Sequence, residues 1–254
     1  MFRPRVIPVL LLKNLGLTKS VKFGNYRYVG DPINAVKIFN DKKADELIFL
    51  DITASSEKRC ISNEFVYKVG DEANMPFAVG GGIRTIKDIR NMLSMGVEKV
   101  VLNTVSFENP DFVKEAVNVF GSSTIVVCMD VKKSMFGKDK ICIYGGKKTL
   151  SKDPLEAAQE FEEFGAGELI IQSVDKDGSY EGYDLDLIGR ISKSVSIPVV
   201  ALGGAGRLDD FKKAVEIGKC SAIGAGSLFV FHGPRRAVLI NYPSQEELKN
   251  LFYS

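Results

Sequence analysis

Glu46-Leu47-Ile48 is repeated as Glu168-Leu169-Ile170, and Gly81-Gly82 as Gly203-Gly204, both at an offset of 122 residues. Asp31-Pro32 and Asp153-Pro154 keep the same offset, as do Gly96 and Gly218. The beginning of each copy is displaced slightly, with Leu11-Leu12-Lys13 lying over Asp130-Val131-Lys132. A chain that repeats at half its length is built from two copies of one unit. The first copy holds four short apolar runs, Val6–Leu12, Leu47–Ile52, Phe77–Val79 and Val100–Leu102. The second holds Ile125–Met129, Leu169–Ile171, Val199–Leu202 and Ala222–Ile223. Amphipathic stretches separate them, among them Ile33–Asn40, Ile86–Ser94, Leu155–Phe164 and Leu208–Ile217. Apolar runs alternating with helices imply parallel strands joined by crossovers. Two four-strand units close into a (β/α)8 barrel of the α/β class, a solution with no open sheet edge. The alternative is an open doubly wound sheet, which rarely carries a half-length repeat. The expected organisation is a single barrel over 1–254, with half-repeats at about 1–120 and 121–231 and a C-terminal extension at 232–254.

Composition fits this. At 254 residues the chain has an ordinary length for such a barrel, and 45% hydrophobic with 26% charged residues is an ordinary globular balance. A net charge of +2 argues for neither nucleic acid nor a membrane surface as partner. No apolar run has the length of a membrane span, and the opening MFRPRVIPVLLLKN reads as a buried strand rather than a secretory signal. Cys60, Cys128, Cys142 and Cys220 form no CxxC pair, so reduced thiols in a cytoplasm are expected. The lone histidine, His232, leaves no basis for a histidine metal cluster or a Ser-His-Asp triad. No metal and no cofactor are called for.

Glycine-rich turns follow the third and seventh runs. Val79-Gly80-Gly81-Gly82-Ile83-Arg84 precedes Asn103-Thr104, and Leu202-Gly203-Gly204-Ala205-Gly206 precedes Gly224-Ala225-Gly226-Ser227. Glycines at a strand end let backbone N–H groups approach an anion with no Cβ in the way. Glycines also serve tight turns, but paired runs at matching offsets favour a ligand with two anionic ends. Gly81, Gly82, Asn103 and Thr104 would take one end; Gly203, Gly204, Gly226 and Ser227 would take the other.

Longer stretches carry a resemblance. Gly30-Asp31-Pro32, Asp45–Ser55, Val79–Ile83, Val126–Lys132, Gly165–Leu169 and Asp175-Lys176-Asp177-Gly178 resemble the cyclase subunit family of imidazole glycerol phosphate synthase, over nearly the whole chain to about Phe231. The resemblance implies a heterodimer with a glutaminase, whose ammonia crosses the barrel to a bisphosphorylated substrate. It implies substrate-side roles for Lys19, Asp51 and Asp177, and a catalytic role for Asp130. The family's second catalytic aspartate falls on Leu11, which cannot transfer a proton, and general acid–base catalysis contributes a factor of roughly 10² to 10⁴. Along the strand, Arg5, Ile7, Val9 and Leu11 share a face with no substitute ionisable group near its end. Gln172 stands where the family has a small hydroxyl residue.

At the other end the match holds. Arg5, Glu46, Lys99 and Glu168 stand at the starts of the first, second, fourth and sixth strands. They would form a ring of alternating charge over an apolar interior, costly to bury unless paired. By resemblance this is an ammonia gate on the partner face; the alternative is a structural salt-bridge plug. A kept docking end with half the acid–base pair missing resembles a paralogous subfamily associated with sugar amidation in surface-polysaccharide biosynthesis. The segment Val9–Asn14 and the tail from His232 to Ser244 also resemble it. The leading expectation is therefore a barrel that passes ammonia toward amidation of a nucleotide sugar, with a possible downstream amidotransferase. A true cyclase and lyase of histidine biosynthesis, and a non-catalytic scaffold that activates a glutaminase, are the alternatives.

Overall fold

The structure, a computed structural model, describes residues 3–233 and 235–253; Met1, Phe2, Ser254 and Pro234, the last part of the tail motif above, lie outside them. Each of the eight apolar runs is a strand: β1 Arg5–Lys13, β2 Leu47–Asp51, β3 Phe77–Gly80, β4 Lys99–Leu102, β5 Ile125–Lys133, β6 Glu168–Ser173, β7 Val199–Leu202 and β8 Ala222–Ala225. Neighbours pair in parallel in chain order. β8 then returns to β1, with Arg5 opposite Ala222 and Pro8 opposite Ala225. The sheet is a closed (β/α)8 barrel, and no barrel strand presents an unpaired edge.

The period of two along each strand divides the apolar residues between two cores. On β1, Val6, Leu10 and Leu12 pack outward under the helices, while Ile7 and Val9 point into the barrel. Ile48, Ala78, Val101, Val126, Cys128, Ile170, Val200, Leu202 and Ala222 fill the inner core with them. The outer core is fixed by well-capped helices. Asp31 and Asp153, partners in the repeat, both cap helices that begin with proline, Pro32–Asp41 and Pro154–Glu163. Thr85 and Asp88 form a reciprocal capping box at Ile86–Ser94.

Two antiparallel excursions leave the C-terminal ends of β1 and β5. β1 folds back through Gly16–Val21 and Gly24–Gly30, and β5 through Asp139–Ile143 and Lys148–Thr149. The stretch holding Lys19 is thus a strand of a hairpin. Its turns take left-handed backbone at Asn14, Leu15, Lys22 and Phe23, the conformation of a two-residue hairpin turn. The C-terminal extension carries a small strand pair, Phe231–His232 with Ala237–Val238, and the helix Gln245–Tyr253. Tyr242 pins it to the barrel by donating its hydroxyl to the Val6 carbonyl at 2.9 Å. Among the described residues no helix is long and apolar enough to cross a membrane.

Candidate functional site

The four charged residues at the strand starts form a closed ring. Arg5 bonds Glu46 through one guanidinium nitrogen and Glu168 through the other. Lys99 Nζ lies 3.1 and 3.2 Å from the two Glu46 oxygens and 3.1 Å from Glu168. Each carboxylate is therefore shared by two cations. The Glu46 and Glu168 side chains are 4% and 8% exposed, those of Arg5 and Lys99 30% and 21%. Burial works against the Arg5 charge, but the Glu168 and Glu46 carboxylates outweigh it and raise its pKa. Directly above the ring lie Ile7, Ile48, Val101 and Ile170, all buried.

At the opposite end a cavity of about 950 Å³, including its open mouth, holds most of the polar residues singled out above. Leu11, Asp51, Gly81, Gly82, Asn103, Thr104, Asp130, Gln172 and Asp177 line it. Asp130 is almost fully buried. Burial pushes its pKa up to about 7, with hydrogen bonds from Asn103 and Cys128 pulling the other way. The group is thus poised to hold or release a proton near neutrality. Leu11 carries no such group, and its parallel partner on β2, Leu50, is apolar.

A second cavity adjoins the first and shares Leu11, Gln172 and Asp177 with it. Lys19, Gly203, Gly204, Gly226 and Ser227 line this one. Both pairs of glycine turns thus open on the barrel mouth, with Leu11 and Gln172 between them. The glycines are sterically required. A Cβ on Gly82 would meet the Arg59 carbonyl oxygen at 1.8 Å, and one on Gly204 the Gly182 carbonyl oxygen at 2.2 Å. Gly226 differs: a Cβ there would meet the end of the Lys19 side chain, its Nζ at 2.3 Å, and less closely the Val9 carbonyl oxygen at 3.1 Å.

The β1 hairpin closes over this end. Lys19 is buried, donates to the Val9 carbonyl at 2.6 Å, and is held by burial at a pKa of about 8 despite Asp177 nearby. Asp177 accepts from Ser20 Oγ at 2.7 Å and from the Phe23 N–H at 3.4 Å. Lys22 N–H donates to the Asp177 carbonyl at 3.0 Å. These bonds hold Phe23 in its left-handed turn, with its side chain on the cavity wall.

Asp51 lines the cavity, but its carboxylate is committed to its own loop. It accepts from Thr53, from the Ala54 N–H and from Arg59, the last at 2.6 Å. These bonds make it an organiser of the turn beside Gly81. Sequence reasoning passed over Arg84, which follows the first glycine turn and lines the cavity, and Arg59, whose partner could not be read from a charged run. Ser20, Ser55 and Tyr26 also line the cavity unassigned. All four cysteines are free thiols, and among the described residues no group of three or more His, Cys, Asp or Glu could hold a metal ion.

The chain is similar to known proteins over its whole length. A family model described as "Histidine biosynthesis protein" matches residues 5–234. A protein of Leptospira interrogans, provisionally named imidazole glycerol phosphate synthase subunit HisF, is 41% identical over 254 residues, all of both chains. A Vibrio vulnificus protein, provisionally named as the subunit hisF3 of that synthase, is 45% identical over 98% of this chain and 96% of its own. The imidazole glycerol phosphate synthase subunit HisF of Methanocaldococcus jannaschii is 41% identical over 87% of this chain and 89% of its own.

Proposed function

The chain belongs to the histidine biosynthesis protein family, and on that premise we propose that it is the ammonia-receiving barrel of a two-component, glutamine-dependent synthase of the imidazole glycerol phosphate synthase type. One observation carries the reading. A paired ionic ring closes one end of an apolar barrel whose other end holds a buried acid between two glycine-turn cavities. Ammonia is small and neutral, so an apolar bore lets it pass while charged solutes meet a desolvation barrier. The ring closes that bore, and a docked glutaminase opens it by competing for the Arg5 or Lys99 bonds. At the mouth, Gly81, Gly82, Asn103 and Thr104 take one anionic end of the substrate. Gly203, Gly204, Gly226 and Ser227, with Lys19, take the other. Asp130 then moves a proton at the carbon that receives ammonia. The complex is a heterodimer with the glutaminase; a cytoplasmic setting goes with free thiols and soluble substrates.

The names of the relatives favour the histidine-pathway substrate as acceptor. Leu11 favours a second reading, in which ammonia goes on to a nucleotide sugar for surface-polysaccharide synthesis, through a downstream amidotransferase. A ring closure that needs an acid and a base on opposite sides lacks one of them here. Two experiments decide. Amide-labelled ¹⁵N from glutamine must reach a product of the complex without exchanging with bulk ammonium; full exchange overturns the channel. Growth of a histidine auxotroph lacking its own cyclase subunit, restored by this chain, assigns the histidine substrate; no growth with a soluble, folded chain assigns the second reading.

A further inference from the structure

The β5 hairpin leaves the C-terminal end of its strand, is tied to the helix Leu185–Ser194 by Asp139 and Arg190, and ends in a bonded turn. Ser134 N–H donates to the Lys138 carbonyl at 2.7 Å, Gly137 N–H to the Ser134 carbonyl at 2.9 Å, and Lys138 N–H to Ser134 Oγ at 3.1 Å. Held at the apex are Met135 and Phe136, 100% and 91% exposed. Turn apices ordinarily carry Gly, Asn, Asp, Ser or Pro, each for a backbone reason. Two large apolar side chains at that place add nothing to either core, and a local rule broken with no gain in folding marks a functional surface. Lys132, Lys133, Lys138 and Lys140 flank the apex, with Asp139 the one acid among them. Asp139 is already neutralised, by Lys133 at 3.0 Å and by Arg190; Lys133 is thereby committed, with Asp184 also 3.9 Å away, and Lys132, Lys138 and Lys140 make up the collar. The apex is apolar and its collar is cationic, a local feature that the net charge of +2 conceals.

We infer that the Met135–Phe136 turn is a peripheral contact for an anionic membrane surface, with the two side chains entering the headgroup boundary and the lysines meeting lipid phosphates. A specific protein partner fits less well. Stable protein interfaces bury about 1,200 Å² or more against a shaped counterpart. A two-residue wedge supplies a small part of that, whereas a lipid surface accepts it without shape matching, and basic residues add attraction within a Debye length. The hairpin leaves the end of the barrel that holds the cavity. The inference does not depend on the ammonia reading.

The test is co-sedimentation of the full chain with vesicles of equal parts phosphatidylglycerol and phosphatidylcholine, against phosphatidylcholine alone. Binding should be at least about tenfold tighter on the anionic vesicles and weaken with salt. The Met135→Ser/Phe136→Ser and Lys132→Gln/Lys138→Gln variants should each lose about tenfold in affinity, with thermal melting unchanged. The chain has no tryptophan, so Phe136→Trp is a unique reporter. Its emission should shift to shorter wavelength on anionic vesicles and be quenched by brominated acyl chains. Equal sedimentation of wild type and apex variant, or an unshifted emission, overturns the inference. So does self-association of the wild type that the apex variant loses, which would make the turn a contact between copies.

Discussion

Leu11 and Asp130 occupy corresponding places on β1 and β5. Each is paired on one side with a parallel neighbour, Leu50 or Gln172, and on the other with its own hairpin, at Thr18 or Cys142. Both line the cavity at the mouth. The two half-repeats thus present an acid from one copy and a hydrocarbon from the other. Leu11→Asp should raise turnover of the histidine-pathway substrate with free ammonium by a factor on the order of 10² over wild type. Leu11 is only partly buried, so a carboxylate there reaches water and the fold should tolerate it. Robust wild-type turnover, unchanged by Leu11→Asp, would show the acid–base argument to be wrong.

Asp130 gives a pH dependence whose sign is fixed. Burial raises its pKa to about 7 in the folded chain, against about 3.9 for an unfolded aspartate. Between those values the folded state keeps a proton that the unfolded state has lost. Its contribution to stability is full below about pH 4 and declines as pH rises to about 7, by at most about 4 kcal/mol. Asp130→Asn cannot ionise. Urea midpoints at pH 5 and pH 8 should therefore fall more for wild type than for the variant; parallel changes would contradict the buried, raised acid.

Stability should distinguish the two signs of charge in the ring. Arg5→Ala leaves two carboxylates, 4% and 8% exposed, to share Lys99 alone. Glu46→Ala leaves cations whose side chains are 30% and 21% exposed and can turn to water. Denaturant unfolding should show Arg5→Ala costing about 3 kcal/mol and Glu46→Ala roughly half as much. The reverse order would mean that the ring is not closed in solution.

Gly226 separates binding from folding. Its φ of −116 is not in the left-handed region that favours glycine, and an added Cβ crowds chiefly the end of the Lys19 side chain, with the Val9 carbonyl oxygen at 3.1 Å. Gly226→Ala should keep stability within about 1 kcal/mol of wild type. Calorimetry with inorganic phosphate should show about tenfold weaker binding for this variant and for Lys19→Met, as a lost charge-assisted hydrogen bond would give. Unchanged affinity in both would remove Lys19 from the anion site.

The barrel was legible because a parallel barrel strand is buried on both faces and reads as an unbroken apolar run, and because the repeat placed eight of them. The ring was legible because strand periodicity puts Arg5 in line with Ile7 and Val9, and Glu46 in line with Ile48. The hairpin after β1 was not, since its turns use Asn14-Leu15 and Lys22-Phe23 at left-handed backbone in place of the Asn-Gly signal that announces such turns. Tertiary bonds from Asp177 hold the second of them, and no local pattern encodes those. The partner of Asp51 was hidden for a related reason: Arg59 comes from a loop whose path only the fold defines.

The most direct test of the ammonia-receiving barrel is the rate of glutamine hydrolysis by the cognate glutaminase subunit, with and without an equimolar amount of this chain. The rate should rise roughly 5- to 150-fold on mixing, the range of an ordinary coupling between sites, and Glu46→Lys should abolish the rise. An unchanged rate in a complex demonstrated by sedimentation would contradict the account.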